Sequence, residues 1–244
     1  MSPRMLLVTA GRVLTQLRAD HRTLALILVV PCVLLGLLAW ISADSALFDR
    51  IGAPLLGIFP LVVMFVVTSV ATLRERTSGT LERLLATPLG RVDLLGGYAV
   101  AFGLVAVVQA LVSTGFAIWV CGLDVAGPVG WLLAVAVASA LVGTALGLLA
   151  SAFARTEFQA VQFMSAFILP QFLLCGLIVA RSEMPRVLEL VSAVLPLSHA
   201  VDALTAVSVQ AEPGAEVVRD LGLLSAFALG ALVLAALTRR RRTA

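Results

Sequence analysis

Residue types that commonly carry out chemistry are few in this chain and widely scattered. Its 244 residues include two histidines, His21 and His199, and three cysteines, Cys32, Cys121 and Cys175. The histidines lie far apart and form no cluster with carboxylates, and the cysteines show neither metal-ligand spacing nor a paired framework. Each cysteine lies in or beside an apolar run, as small packing residues do. We therefore expect no metal site and no catalytic centre.

Nucleotide chemistry is also not expected from this chain. All 17 of its basic residues are arginine, and lysine is absent. The phosphate-binding loop of common ATPases needs a lysine that reaches the nucleotide phosphates. The sequence thus predicts that the chain is not an enzyme and binds no cofactor of its own.

The segment best suited to binding a partner is a charged island at 74–88. Three leucines share one face of a short predicted helix, Glu82 lies in its first turn, and Pro88 ends it. Such a short helix is marginal alone and is stabilised when its leucines are buried against a partner. We interpret the island as a docking surface rather than a solvated loop. The predicted docking residues are Glu75, Arg76, Gly79, Thr80, Leu81, Glu82, Arg83, Leu84, Leu85 and Pro88.

The elements around this island have the composition of a membrane protein. The chain is 61% hydrophobic and only 13% charged, with a mean hydropathy of +1.08, whereas soluble domains carry about 25% charged residues. Runs of about 18 apolar residues or more are long enough to cross a bilayer as helices. The sequence predicts one all-α membrane domain over 1–244 with six spans, at 23–41, 51–73, 94–120, 129–153, 158–180 and 221–238.

The distribution of arginine predicts the orientation. With six spans, most arginines lie on the side that holds both termini and the loop at 74–91. Because cytoplasmic loops are enriched in Arg and Lys, we expect both termini and this loop in the cytoplasm of a multi-pass plasma-membrane protein.

The segment 184–207 is apolar but carries charges that are costly in hydrocarbon. Proline breaks a helix interior, so we predict two short helices separated at Pro196, each too short to span. They would form a re-entrant hairpin entering from the outer face. Within it, His199 and Asp202 are three residues apart and are expected to pair on one helical face.

The first 22 residues show the spacing of an amphipathic helix. Apolar residues at 6, 10, 13, 14 and 17 share one face, and Arg4, Arg18 and Arg22 lie on the other. We expect this helix to lie in the membrane surface, where its arginines would contact anionic lipid. The alternative is a helix packed on the rest of the protein.

Polar residues within the predicted spans are candidates for a cargo pathway. Gln109, Gln162 and Gln171 are the main ones, although such residues also serve as hydrogen-bonding links between helices. No ionisable residue lies deep in a span, which argues against an ion-coupled carrier and favours an apolar cargo. Gly143 and Gly147, four residues apart, would permit close helix contact.

Three segments resemble the ABC-2 type transporter permeases, including the daunorubicin-resistance and nodulation-export types. The strongest is Glu75-Arg76-Thr77-Ser78-Gly79-Thr80-Leu81-Glu82-Arg83-Leu84-Leu85-Ala86-Thr87-Pro88-Leu89, which is similar to the cytoplasmic-loop motif of that family. The segment 154–160 resembles the family's loop before its fifth span. Residues 184–185 with 195–204 resemble its outer re-entrant hairpin.

This resemblance implies an exporter built from two kinds of subunit. The chain would be the permease, and two copies of a separate ABC ATPase would supply ATP and magnesium chemistry. The short helix at the charged island would insert into a groove of that ATPase. A second permease, identical or paralogous, would pair with this one in contact with membrane lipid; no nucleic-acid partner is expected.

The expected cargo is a hydrophobic drug-like or lipid-like molecule, as in multidrug efflux and antibiotic resistance. The alternatives are export of a polysaccharide or lipid-linked glycan and, less favoured, ion-coupled secondary transport. A membrane-embedded enzyme would need a convergent set of reactive residues that the sequence lacks.

Overall fold

The computed structural model describes residues 3–42, 47–77 and 91–238, and these ranges are helical with no strand. The helices are α1 Pro3–Ala19, α2 His21–Ile41, α3 Leu47–Thr77, α4 Arg91–Trp119, α5 Val129–Phe153, α6 Glu157–Leu174, α7 Arg186–Ser192, α8 Pro196–Val209 and α9 Ala215–Thr238. A short 3-10 turn, Arg181–Glu183, precedes α7. The described residues therefore have the predicted all-α architecture.

Five of these helices are long and apolar enough to cross a membrane, namely α2, α3, α4, α5 and α9. They coincide with the predicted spans at 23–41, 51–73, 94–120, 129–153 and 221–238. The described residues contain up to six candidate spans if the bent pair formed by α7 and α8 is counted as one. The multi-pass helical class is confirmed at this level.

The predicted span at 158–180 is wrong in its length. Helix α6 ends at Leu174, and residues 175–179 form bends instead of continuing the helix. The cause is Gly176, whose φ of +92° is left-handed. Glycine just beyond a helix end commonly adopts this conformation and stops the helix.

The predicted break in 184–207 is confirmed as a sharp bend. Helices α7 and α8 meet at 87°. Pro196 is the first residue of α8, where its missing N–H costs nothing. How deeply this hairpin enters the bilayer stays a prediction.

The centre of the bundle is the contact between α3 and α5. A Cβ added at Gly143 would lie 2.2 Å from the carbonyl oxygen of Leu61, and one at Gly147 would lie 2.6 Å from that of Phe65. The two backbones therefore touch without an intervening side chain, as the glycine spacing predicted. Ser139 adds a hydrogen bond by donating to the Gly57 carbonyl at 2.7 Å.

Helix α1 packs its apolar face against the protein. Ala10, Val13 and Leu17 are buried, and α1 contacts α4 more extensively than any other helix. Leu7 and Val8 remain exposed beside the exposed arginines. The predicted amphipathic pattern is confirmed, but most of its apolar face is occupied by α4, so an interfacial position remains a prediction.

Candidate functional site

The last turn of α3, which ends at Thr77, contains three consecutive charged residues, Arg74, Glu75 and Arg76, just before the loop that connects it to α4. The three side chains contact different neighbouring helices, and Glu75 contacts two of them. We call these residues and their partners the loop base. The arrangement follows from the helical period, because successive residues project about 100° apart around the axis.

Glu75 joins three helices. Its Oε1 accepts a hydrogen bond from Arg12 Nη1 at 3.1 Å, and its Oε2 accepts one from Arg12 Nη2 at 3.0 Å. The hydroxyl of Tyr98 in α4 also donates to Oε2. With its amide nitrogen turned toward Glu75, Gln16 donates to Oε1 at 2.7 Å. A bidentate, half-buried pair of this kind is geometrically specific, and it fixes α1 and α4 to the end of α3.

Arg76 binds the carboxyl end of α5. Its Nη1 donates to the carbonyls of Ser151 at 2.8 Å and Ala152 at 3.1 Å, and its Nη2 donates to that of Ala154. The last carbonyls of a helix have no partner within the helix and carry a partial negative charge. Arg76 therefore caps α5 from α3.

Arg74 forms a more exposed pair with Glu157 at the start of α6. Arg74 Nε and Nη2 donate to the two Glu157 oxygens at 3.0 and 3.1 Å. These hydrogen bonds hold the pKa of Glu157 below its ordinary value. The loop base thus links the end of α3 to α1, α4, α5 and α6.

Of the predicted docking residues, only Glu75 and Arg76 lie within the described ranges, and both have partners inside the chain. Gly79, Thr80, Leu81, Glu82, Arg83, Leu84, Leu85 and Pro88 lie outside them. Their predicted role in docking stays a prediction.

Sequence reasoning did not single out Arg12, Gln16 or Tyr98 as residues of this site. Arg12 is half-buried and Tyr98 is buried. One available signal was that Tyr98 is the only tyrosine of the chain, placed near the start of an apolar run. A buried tyrosine hydroxyl needs a partner.

The three glutamines proposed for a cargo pathway occupy different environments. Gln109 is buried in α4, and neither of its amide atoms has a hydrogen-bond partner in the described part of the chain. Gln171 donates to the Phe167 carbonyl at 3.0 Å and accepts from Leu197 N at 3.4 Å, which links α6 to α8. Gln162 is exposed on α6. A cargo role for these residues stays a prediction.

The predicted pair between His199 and Asp202 is wrong. His199 Nδ1 instead lies 3.1 Å from Asp220 Oδ1 in α9, and its Nε2 lies 3.0 Å from the Ala193 carbonyl. Asp202 pairs with Arg181. The contacts with neighbouring elements replace the local pair, because α9 brings Asp220 to His199 and the 3-10 turn before α7 brings Arg181 to Asp202. Within the described ranges, no three or more potential ligands gather into a metal site.

A cavity of about 560 Å³ lies beside the loop base, between α1, α2, α3 and α4. Its lining is mostly apolar and includes three charged residues, Asp20, Arg74 and Glu75, which we call the rim charges. Cavities of 300–1,000 Å³ with mostly apolar walls and a few polar groups are the usual form of a small-molecule site.

The family model for ABC-2 type transporters matches residues 6–208, which cover α1 to most of α8 and include the loop base. The chain belongs to the ABC-2 type transporter family. The resemblance seen in the loop motif is confirmed, and the loop base is therefore a feature of an ABC-2 membrane domain.

Three bacterial relatives illustrate the likeness to ABC-2 proteins. The probable multidrug ABC transporter permease YbhR of Escherichia coli is 30% identical over 148 residues, covering 61% of this chain and 40% of the relative. The probable multidrug ABC transporter permease YbhS of E. coli is 28% identical over 144 residues, covering 59% of this chain and 38% of the relative. The E. coli inner membrane transport permease YhhJ is 27% identical over 203 residues, covering 83% of this chain and 54% of the relative.

The matches therefore span 38–54% of these relatives' own lengths. Members of the ABC-2 permease class lack a nucleotide-binding domain of their own. Membership in this class, together with the five candidate spans, identifies a multi-pass membrane protein.

Proposed function

We propose that this chain is the permease subunit of an ABC exporter, driven by a separate ATPase that docks on the loop at 74–91. The observation that carries the proposal is the loop base, where three consecutive residues of α3 are bonded to four other helices. A force applied to the loop would reach all of these helices at once.

Glu75 and Arg76 are proposed to transmit force rather than to contact the ATPase, because their hydrogen-bonding groups are already engaged inside the chain. The ATPase contact is then left to the loop itself. There Leu84 and Leu85 supply apolar surface, and Glu82 and Arg83 set specificity by charge.

The proposed assembly has two ATPase subunits, which bind ATP and magnesium, and a second permease copy that is identical or paralogous. With the segment from α6 to α8 counted as one further crossing, both termini and the loop face the cytoplasm of a bacterial inner membrane, since most arginines then lie on that side. In this orientation Leu7 and Val8 would contact the membrane surface, and the α7–α8 hairpin would enter from outside.

The proposed cargo is hydrophobic and drug-like or lipid-like, and it moves outward. Two relatives carry the description of probable multidrug permeases, which supports this class over a glycan. The described candidate spans are apolar over most of their length, which supports it over ion-coupled transport.

Docking is tested by placing a charge in the leucine face. Leu84→Asp and Leu85→Asp are expected to insert normally but to lose co-purification with the ATPase, because a carboxylate cannot be buried in an apolar groove without a large penalty. The measurement is the ATPase recovered per permease after affinity purification.

Val187→Asp is the matched control, since Val187 is an exposed apolar residue in α7, at the opposite end of the bundle. It should retain the ATPase. Normal ATPase recovery and transport in the Leu84 and Leu85 variants would contradict the proposed docking site.

A further inference from the structure

The cavity beside the loop base has a mostly apolar lining that includes the three rim charges, Asp20, Arg74 and Glu75. Its walls come from four helices and include Leu17 of α1, Leu26 of α2, Val67 and Val70 of α3, and Phe102 of α4. Such walls favour an apolar molecule by removing its surface from water. The charges at the rim then decide which apolar molecule fits.

Two of the three rim charges are neutralised within the chain. Arg74 is paired with Glu157, and Glu75 is paired with Arg12. Asp20 has no ion pair with any residue that the structure describes. Arg74 attracts Asp20 electrostatically without forming a direct ion pair with it. Among the described rim charges and their partners Arg12 and Glu157, one negative charge is therefore in excess, and Asp20 is the carboxylate that lacks an ion pair.

Asp20 is held in place as a carboxylate. Its Oδ1 accepts from Thr23 N at 3.2 Å and its Oδ2 accepts from Thr23 Oγ1 at 2.6 Å, which makes it the N-cap of α2. Hydrogen bonds from Thr23 lower the pKa of Asp20, so it is ionised at neutral pH. A carboxylate can accept further hydrogen bonds or a cation beyond these two contacts.

We propose that the cavity binds a lipophilic cation, with the apolar body against the walls and the positive charge next to Asp20. This inference rests on the proposed function, because it names the class of cargo that the proposed exporter would bind in this cavity. Bound cargo would lie against Arg74 and Glu75, the residues that join the loop to the bundle. Binding would thereby be sensed at the point where the ATPase acts.

Tetraphenylphosphonium and tetraphenylborate are suitable probes, because they have nearly the same shape and opposite charge. The full chain in nanodiscs, without an ATPase, is titrated with each ion by equilibrium dialysis against empty nanodiscs. Asp20→Asn removes the charge and keeps a good N-cap residue, so α2 should fold normally. Asp49→Asn, an exposed carboxylate in the first turn of α3 at the opposite end, is the control.

Asp20→Asn is expected to weaken tetraphenylphosphonium binding by about two- to fivefold without weakening tetraphenylborate binding, whereas Asp49→Asn should change the binding of neither ion. Val70→Phe places a larger side chain in the cavity and should weaken binding of the cation in proportion to the lost cavity volume. Wild-type affinity for the cation in Asp20→Asn, or equal binding of the two ions, would overturn the proposal.

The outcomes also separate this inference from the proposed function. Loss of ATPase binding in the leucine variants, together with unchanged cation binding in Asp20→Asn, would reject the cavity and keep the exporter. Weakened cation binding in Asp20→Asn, together with full ATPase binding in the leucine variants, would keep the cavity and reject the docking loop.

Discussion

At the scale of single residues, the loop base contains one half-buried ion pair and one exposed ion pair. The Arg12 and Glu75 side chains are 27% and 16% exposed, whereas those of Arg74 and Glu157 are 61% and 51% exposed. Hydrogen bonds to charged groups contribute about 1.5–3 kcal/mol when shielded, and exposed pairs contribute under about 1 kcal/mol. We therefore expect the Glu75 network to dominate.

Glu75→Gln should lower the free energy of unfolding by about 1–2 kcal/mol, because Arg12 loses its counter-charge in a half-buried position. The ATPase should still bind, but cargo should stimulate its activity less. Thermal unfolding and ATPase assays of the purified complex measure both effects. Glu157→Gln is the matched control and should change stability by less than about 1 kcal/mol; equal effects of the two variants would count against the assigned role of Glu75.

The sequence predicted charge at this site but not its partners. Arg74, Glu75 and Arg76 stood out as a charged segment between apolar runs. Their partners Arg12, Ser151 and Glu157, however, lie 63 to 83 residues away from them in the chain. His199 shows the same limit, since local spacing pointed to Asp202 while packing supplied Asp220. Side-chain partners between helices depend on how the helices cross, which hydropathy does not encode.

At the scale of helices, most spans followed from the length of the apolar runs, and the error at α6 came from a glycine conformation. Gly143 and Gly147 predicted only that another helix could approach α5 closely. The structure shows that the glycines are required, since an added Cβ at either position would overlap a backbone carbonyl of α3. Glycine spacing alone could not identify the partner helix.

Gly143→Ala should destabilise the protein by about 1–3 kcal/mol, because its methyl group would force α3 and α5 apart. Gly130→Ala is the control in the same helix, since a Cβ there meets nothing within 4 Å. The thermal unfolding midpoint in detergent checks both variants. A Gly143→Ala protein as stable as wild type would contradict the close backbone contact.

At the scale of the whole molecule, the loop base and the His199–Asp220 contact lie at opposite ends of the bundle. The distribution of arginine predicts that the loop base faces the cytoplasm. Because the orientation follows from sequence alone, it needs an experiment of its own.

Single cysteines at Thr77 and Val187, both exposed, provide that experiment once the native cysteines are replaced by alanine. A membrane-impermeant maleimide should label Val187→Cys in intact cells and Thr77→Cys only after permeabilisation. Labelling of Thr77→Cys from outside would invert the topology and remove the basis for ATPase docking.

The bare glycine contact within the bundle limits which motions are available. Sliding α3 along α5 by one residue, about 1.5 Å, would bring bulkier side chains opposite the carbonyls of Leu61 and Phe65. The contact therefore predicts that α3 and α5 move together as one rigid unit in any conformational change.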